Sequence, residues 1–259
     1  MNGNHMRKLT APISVILFVL IFSVSFLHYY GQSVEQPILL NTKFKYLTRD
    51  PETQMVSPYL WEVVYYKGEF DKAFIRRDFV DGVGCIGLHV YQDGINDTNV
   101  WATIHIKQAV GGRQLQRLFD SRIGVWVYPT FQYIYDKETK NPENVFGLEV
   151  NDGTHMVWFI FSDDPIAPYT LKNHHIIVIQ TPLNKWSYRE VSIREVYDDQ
   201  GWTMPESVSF IILMGATRSL KGEFSGYIRE VIVEEEAENN RGFLGLALWP
   251  AIPNYTDNQ

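Results

Sequence analysis

A single cysteine, Cys85, stands in the whole chain, so no disulfide can close within it and the fold must rest on its hydrophobic core. Cys85 lies in an apolar run and reads as an inert buried thiol. Basic residues are in deficit: 23 Lys and Arg against 30 Asp and Glu give a net charge of −7. A general nucleic-acid binder needs the opposite balance, because a basic surface is what displaces counterions from phosphate. There is no nucleophile elbow, P-loop or zinc motif. Gly82-Val-Gly-Cys-Ile-Gly87 is a near miss for the dinucleotide fingerprint, with no helical pattern after it. Beyond residue 31 no segment keeps helical periodicity for more than about ten residues. What the chain has in quantity is apolar and aromatic side chains, 45% and 14% of 259 residues, enough for the core of one large domain.

The N-terminus points to export. Arg7 and Lys8 precede an unbroken apolar run from Ala11 to Leu27, and Tyr29 and Tyr30 follow it. A run of about 17 residues is the lower limit for a helix that crosses the hydrocarbon core, and tyrosines suit the far interface. A cleaved signal wants small residues at its end, whereas Phe26, Leu27 and His28 stand there. Residues 1–31 are therefore expected to be an uncleaved signal anchor, a single transmembrane helix. Either way Arg7 and Lys8 stay inside, which makes this a single-pass protein of the cell membrane with its domain on the extracytoplasmic side. The triplets Asn96-Asp97-Thr98 and Asn254-Tyr255-Thr256 agree with an exported glycoprotein. Residues 32–58, with Pro37, Pro51 and Pro58, read as a linker holding at most a first strand near Thr42–Tyr46. The domain then spans 59–236. The tail 237–259 carries the apolar stretch Phe243–Pro253, too short to span a bilayer. It packs back on the domain, dips into the membrane interface, or docks a protein partner.

Between linker and tail the chain reads as strands. Runs rich in β-branched and aromatic residues cover Leu60–Tyr66, Phe74–Val80, Cys85–Tyr91, Val100–Val110, Arg122–Tyr128, Phe131–Tyr135, Val145–Val150, Thr154–Phe161, His174–Gln180, Trp186–Ile193, Val208–Met214 and Tyr227–Glu234. Asp81-Gly82, Asp93-Gly94, Gly111-Gly112 and Asp152-Gly153 break them, the last being the strongest hairpin signal, a type I′ turn. Gln114–Asp120 and Arg194–Gln200 suit short helices. No internal repeat is present, which argues against a propeller or solenoid. The expected fold is all-β, a two-sheet antiparallel jelly-roll sandwich.

Period two separates buried from wet positions. Val100, Ala102, Ile104 and Ile106 face the core, with Trp101, Thr103, His105 and Lys107 opposite. Ile86, Leu88 and Val90 leave His89 and Tyr91 opposite. Ile123, Val125 and Val127 leave Arg122, Trp126 and Tyr128, and Phe146, Leu148 and Val150 leave Gly147 and Glu149. A wet face with Trp101, Trp126, Tyr91 and Tyr128 beside His89, His105, Arg122 and Glu149 has the chemistry of a sugar platform. Pyranose faces stack on rings, and hydroxyls bond to the polar neighbours. The competing reading is that a loop, a strand or the linker covers this face and makes the aromatics a secondary core. Trp158, Trp186 and Trp202 read as ordinary core or corner residues.

WSYREVSI (Trp186–Ile193), PESVSFIILM (Pro205–Met214) and GEFSGYIREVIV (Gly222–Val233) together resemble the closing half of jelly-roll carbohydrate-binding modules and concanavalin-like sandwiches. The earlier strands fit that pattern loosely. The resemblance implies a glycan or polysaccharide ligand. Arg229 and Glu230 stand where acids usually sit, which puts the family's structural calcium in doubt, and no cofactor is expected. The loop Asp93–Asn99 is rich in oxygen ligands, the one place for calcium, though a plain Asp-Gly turn explains it equally. His174 and His175 are adjacent on a strand and point to opposite faces, so they cannot chelate one metal together. The Glu-x-Asp-x-x-Glu core of concanavalin-like hydrolases is missing. Lyases on this fold use His, Tyr and Arg, and His105, Tyr128 and Arg122 supply those types. The sequence thus points first to non-catalytic glycan binding. Two readings stand behind it: an accessory subunit of an envelope complex, and a polysaccharide lyase or hydrolase.

Overall fold

A computed structural model describes residues 37–49, 56–66 and 72–235. The anticipated membrane helix, the C-terminal tail and the second sequon lie outside the described residues. Among the described residues no helix is long and apolar enough to cross a membrane.

The strands in chain order are β1 (Leu47–Arg49), β2 (Val56–Pro58), β3 (Glu62–Tyr66), β4 (Lys72–Val80), β5 (Val83–Asp93), β6 (Trp101–Gly111), β7 (Ser121–Pro129), β8 (Asn144–Asn151), β9 (Met156–Ser162), β10 (Tyr169–Leu171), β11 (His174–Gln180), β12 (Ser187–Val191), β13 (Ser207–Thr217) and β14 (Lys221–Glu235). They form a seven-stranded sheet in the order β10-β11-β9-β8-β13-β6-β3, a five-stranded sheet in the order β12-β7-β14-β5-β4, and the small pair β1-β2. All pairings are antiparallel except β9 with β11, which run parallel, a departure from the wholly antiparallel sandwich expected. Among the described residues the helices are α1 (Gly112–Phe119) and α2 (Ile193–Gln200). Ser192 caps α2 by accepting the Glu195 N–H at 3.2 Å, and Gly201 in the left-handed region ends it.

The core is the space between the sheets. Ile104, Ile106, Leu148, Val150, Phe210 and Ile212 meet Leu88, Val90, Ile123, Val125, Val127 and Ile228, all fully or almost fully buried. Those on β5, β6, β7 and β8 are the alternating positions of the sequence pattern. Burying one such aliphatic side chain contributes about 1.5–3 kcal/mol, so the alternation holds each strand's register against slippage.

Three expectations need correction. Part of the supposed linker belongs to the domain. Leu39 and Phe44 are buried in the core cluster, Gln108 exchanges hydrogen bonds with both backbone groups of Leu40, and the Val231 N–H donates to Thr42 at 3.0 Å. Phe131–Tyr135 is no strand, apart from an isolated bridge at Tyr135. Side chains take its backbone groups instead: Tyr133 N–H donates to Ser162 Oγ and Ile134 N–H to buried Asn144 Oδ1. Asp152-Gly153 is no type I′ turn, since Gly153 is left-handed and Asp152 is not. The Asp152 carboxylate instead accepts the N–H groups of Thr154 and His155, making a four-residue Asx-type loop.

Candidate functional site

The outer face of the seven-stranded sheet carries an open groove of about 880 Å³. Strand register lays its floor out in rows. One row runs Lys107, Ile211, Glu149 and Trp158 across β6, β13, β8 and β9, and the next starts from His105 and Leu213. Trp101 and Thr103 extend β6 along one side, and Asn151, Met156 and His174 close the other end. The rest of this sheet face is covered. There Ile160 and Ile176, with the groove residues Val145, Ile211 and Leu213, form a second small core with Tyr133 of the β7–β8 loop. Tyr133 is tied down by its hydroxyl contact with Tyr169 at 2.6 Å. The outer face of this sheet is thus part open groove and part covered core.

Glu149 is the polar centre. It is only 4% exposed, with Trp158 Nε1 donating to one carboxylate oxygen and Asn151 Nδ2 to the other, each at 3.0 Å. Burial raises its pKa above the ordinary carboxylate range, and the two hydrogen bonds partly oppose that rise. His105 is pushed down to about 4 by burial, with the charge of Lys107 adding to the effect. His174 is lowered for the same first reason, and its ring meets Trp158 edge-on at 5.0 Å. Lys107 pairs with Glu62 at 3.3 Å. At neutral pH the groove thus holds two uncharged imidazoles, and its Lys107 is paired with Glu62 outside the lining. Thr103 Oγ1 is buried without a hydrogen-bond partner, and such a group asks for one. Gly215 on β13 gives Trp101 its place: a Cβ there would lie 3.2 Å from the indole and 2.8 Å from Thr103 Cγ2.

A folded pKa below the unfolded one means that the unfolded state binds the proton first. Protonating His105 therefore opposes folding, and wild-type stability falls as pH drops from about 6.5 to about 4. In H105N that component should vanish. Urea midpoints of both proteins across this range check it, and parallel curves would show that His105 does not titrate as its burial demands.

The eight residues expected on one face lie on two. Trp101, His105 and Glu149 are in the groove. Trp126, Tyr128 and Arg122 on β7, and Tyr91 and His89 on β5, belong to the five-stranded sheet on the far side of the sandwich. There Trp126 packs on Tyr188 at 5.6 Å, Tyr128 on Trp186 and Tyr227, and Arg122 pairs with Glu195 at 3.0 Å. Tyr91 is exposed. His89 is fully buried, stacked on Phe74 at 4.8 Å and bonded to Asp78, Ser225 and Glu223, so it cannot meet a ligand. The lyase trio is likewise undone, since Tyr128 and Arg122 are on the opposite sheet from His105. Trp158, read as a core or corner residue, packs against the second small core and lines the groove as well. It alternates with buried Val157 and Phe159, a signal hidden inside a run of apolar residues. His174 lines the groove and buried His175 bonds to Thr170, on opposite faces as expected. Asp93 of the candidate calcium loop is engaged by Arg218 at 3.4 Å and by the Ile95 N–H. No group of metal-ligating side chains occurs among the described residues. Cys85 is buried and its thiol is pushed up to about 12 by burial.

Fold and groove define a class: a two-sheet β-sandwich that carries an open aromatic and polar groove on its larger sheet. No protein-family model and no curated protein matches the sequence. Solved structures that it resembles include carbohydrate-binding modules and family 12 glycoside hydrolases. The xyloglucanase domain of NopAA, a type three effector from Sinorhizobium fredii, is 11% identical over 68% of this chain and 93% of that one, with a TM-score of 0.40. Endoglucanase cel12A from Rhodothermus marinus is 12% identical over 68% and 97%, with a TM-score of 0.32. A CBM4 protein is 12% identical over 76% and 98%, also with a TM-score of 0.32. Likeness of this degree decides nothing about activity, which has to be argued from the groove's own side chains.

Proposed function

We propose that the groove binds an uncharged glycan chain without cleaving it. The observation that carries this is the pairing of Trp101 and Trp158 with Glu149, His105, His174 and Asn151 in one open channel. Ring faces take the apolar side of a pyranose and the polar groups take its hydroxyls. Neutrality of the ligand follows from the charge balance: Lys107 has Glu62, and both imidazoles are held uncharged, so nothing in the groove is left to balance a uronate.

Binding without turnover is favoured by the state of the groove's carboxylates. Hydrolysis of a glycosidic bond uses two carboxyl groups free to face the substrate. Among the described groove residues, the carboxylates are Glu149 and Asp152. Glu149 has both oxygens bonded to protein donors. Asp152, its side chain 4% exposed, accepts from Tyr197 Oη at 2.8 Å, from two backbone N–H groups and from His155. In the same reading the apolar run Ala11–Leu27 anchors the protein with its sandwich on the extracytoplasmic side, supported by Arg7 and Lys8 ahead of that run. A glycan array probed with the full-length chain tests the ligand. Hits among neutral chains are expected, and hits confined to uronic or sulfated chains would sink the proposal.

A further inference from the structure

A second site lies at the other sheet. In β14 the ladder slips between Ile228 and Glu230, leaving Arg229 as a bulged residue. The pairing of β14 with β5 ends at the same point, at Ile228 with Ile86. Bulges bend a strand and re-aim its side chains. Beyond this one the two strands part, and the segment holding Lys43 and Lys45 enters beside them, tied by the bond from Val231 to Thr42. The result is a notch of about 370 Å³ lined by Lys43, Lys45, Arg77, Arg229, Gly84 and Glu230. That volume falls within the range of about 300–1,000 Å³ typical of small-ligand pockets.

The charge there opposes that of the chain as a whole. Four cations face one carboxylate in a protein of net charge −7. Glu230 is shared at the outer limit of ion pairing, 3.7 Å from Lys43 and 4.0 Å from Arg229. Among the described residues Lys45 and Arg77 have no acidic partner. Arg229 is held in place by the Trp126 ring, 5.9 Å from its guanidinium. Like charges converging on one notch repel each other, and an anion bound between them removes that repulsion. Guanidinium forks with ammonium groups beside them match a tetrahedral oxyanion.

We propose that this notch binds a phosphate or sulfate group, separately from the glycan groove. The source is either a free phosphorylated or sulfated molecule or the headgroup of an anionic lipid, and the two share this chemistry. The test is calorimetric titration of the full-length chain with inorganic phosphate and with sulfate at low ionic strength. Saturable binding is expected, weakened about tenfold in R77Q and in K45Q, and unchanged in R113Q on α1. Both test positions are exposed, and circular dichroism would show that the variants fold. Co-sedimentation with vesicles of phosphatidylcholine alone or with phosphatidic acid supplies the second arm. Arg77-dependent capture by the acidic vesicles alone identifies the headgroup as the source. Titratable binding of free phosphate without capture identifies a soluble ligand. Absence of binding in every arm, or binding indifferent to Arg77 and Lys45, overturns the proposal. Because Trp101 takes no part, W101A separates this site from the groove: it should leave phosphate binding intact.

Discussion

Alanine at Gly147 is expected to destabilise the sandwich by about 3 kcal/mol or more, the range of severe steric errors in a packed interior. Gly147 lies on β8 near the middle of the seven-stranded sheet, opposite Leu213 on one side and Ile160 on the other. An added Cβ would stand 2.2 Å from the Phe159 carbonyl oxygen, 3.0 Å from its carbonyl carbon and 3.1 Å from Ile160 Cα. These are backbone atoms of β9, and no rotamer change moves them aside. The strand itself must shift, taking with it Trp158 and its hydrogen bond to Glu149. Gly111 is the control: the nearest atoms to a Cβ there are 3.5 and 3.6 Å away, so G111A should stay within about 1 kcal/mol of wild type. Urea unfolding of the three proteins decides the matter. A G147A midpoint equal to that of G111A would mean that β9 yields far more easily than a central strand should.

The second large effect concerns which sheet binds. W101A should weaken glycan affinity on the order of thirtyfold, as expected for loss of a binding hot spot of about 2 kcal/mol. W126A should leave affinity unchanged, because Trp126 is on the opposite sheet beneath Arg229 and beside Tyr188. Trp158 needs a gentler change. Alanine would remove the ring and the donor to Glu149 together, so W158F is the informative variant: it keeps a six-membered ring while giving up the N–H and part of the indole surface. Its affinity should fall less than that of W101A. If the array hit survives W101A and fails with W126A, the five-stranded sheet is the binding face and the groove is not.

These two experiments probe the point at which sequence reasoning ran out. Period-two alternation identified which side chains of β5, β6, β7 and β8 point inward, because inside and outside are set by neighbours along the strand. It could not say that β5 and β7 belong to one sheet and β6 and β8 to the other. A sandwich has two wet faces, and alternation looks the same on both. Eight residues of matching chemistry were thus read as one platform, and three of them share the groove. Trp158 was overlooked for the converse reason. The strand Met156–Ser162 has no polar partner set to show which face is wet, and its outer side is half covered by the β7–β8 loop. His89 shows the same limit at a single position. Its outward parity is correct, yet Phe74 and Tyr227 from neighbouring strands close over it.

By itself the sequence determined the all-β character, the inward sets of β5, β6, β7 and β8, the two short helices, the inert thiol and the separation of His174 from His175. All of these follow from the near-neighbour geometry of a pleated strand or a single helical turn. The tertiary structure alone decided which strands share a sheet, that residues 38–49 pack on the domain, how the Tyr133 loop divides the larger face into covered core and open groove, and that a bulge at Arg229 gathers four cations from distant segments. Each of these depends on contacts between residues far apart in the chain, which local periodicity does not encode.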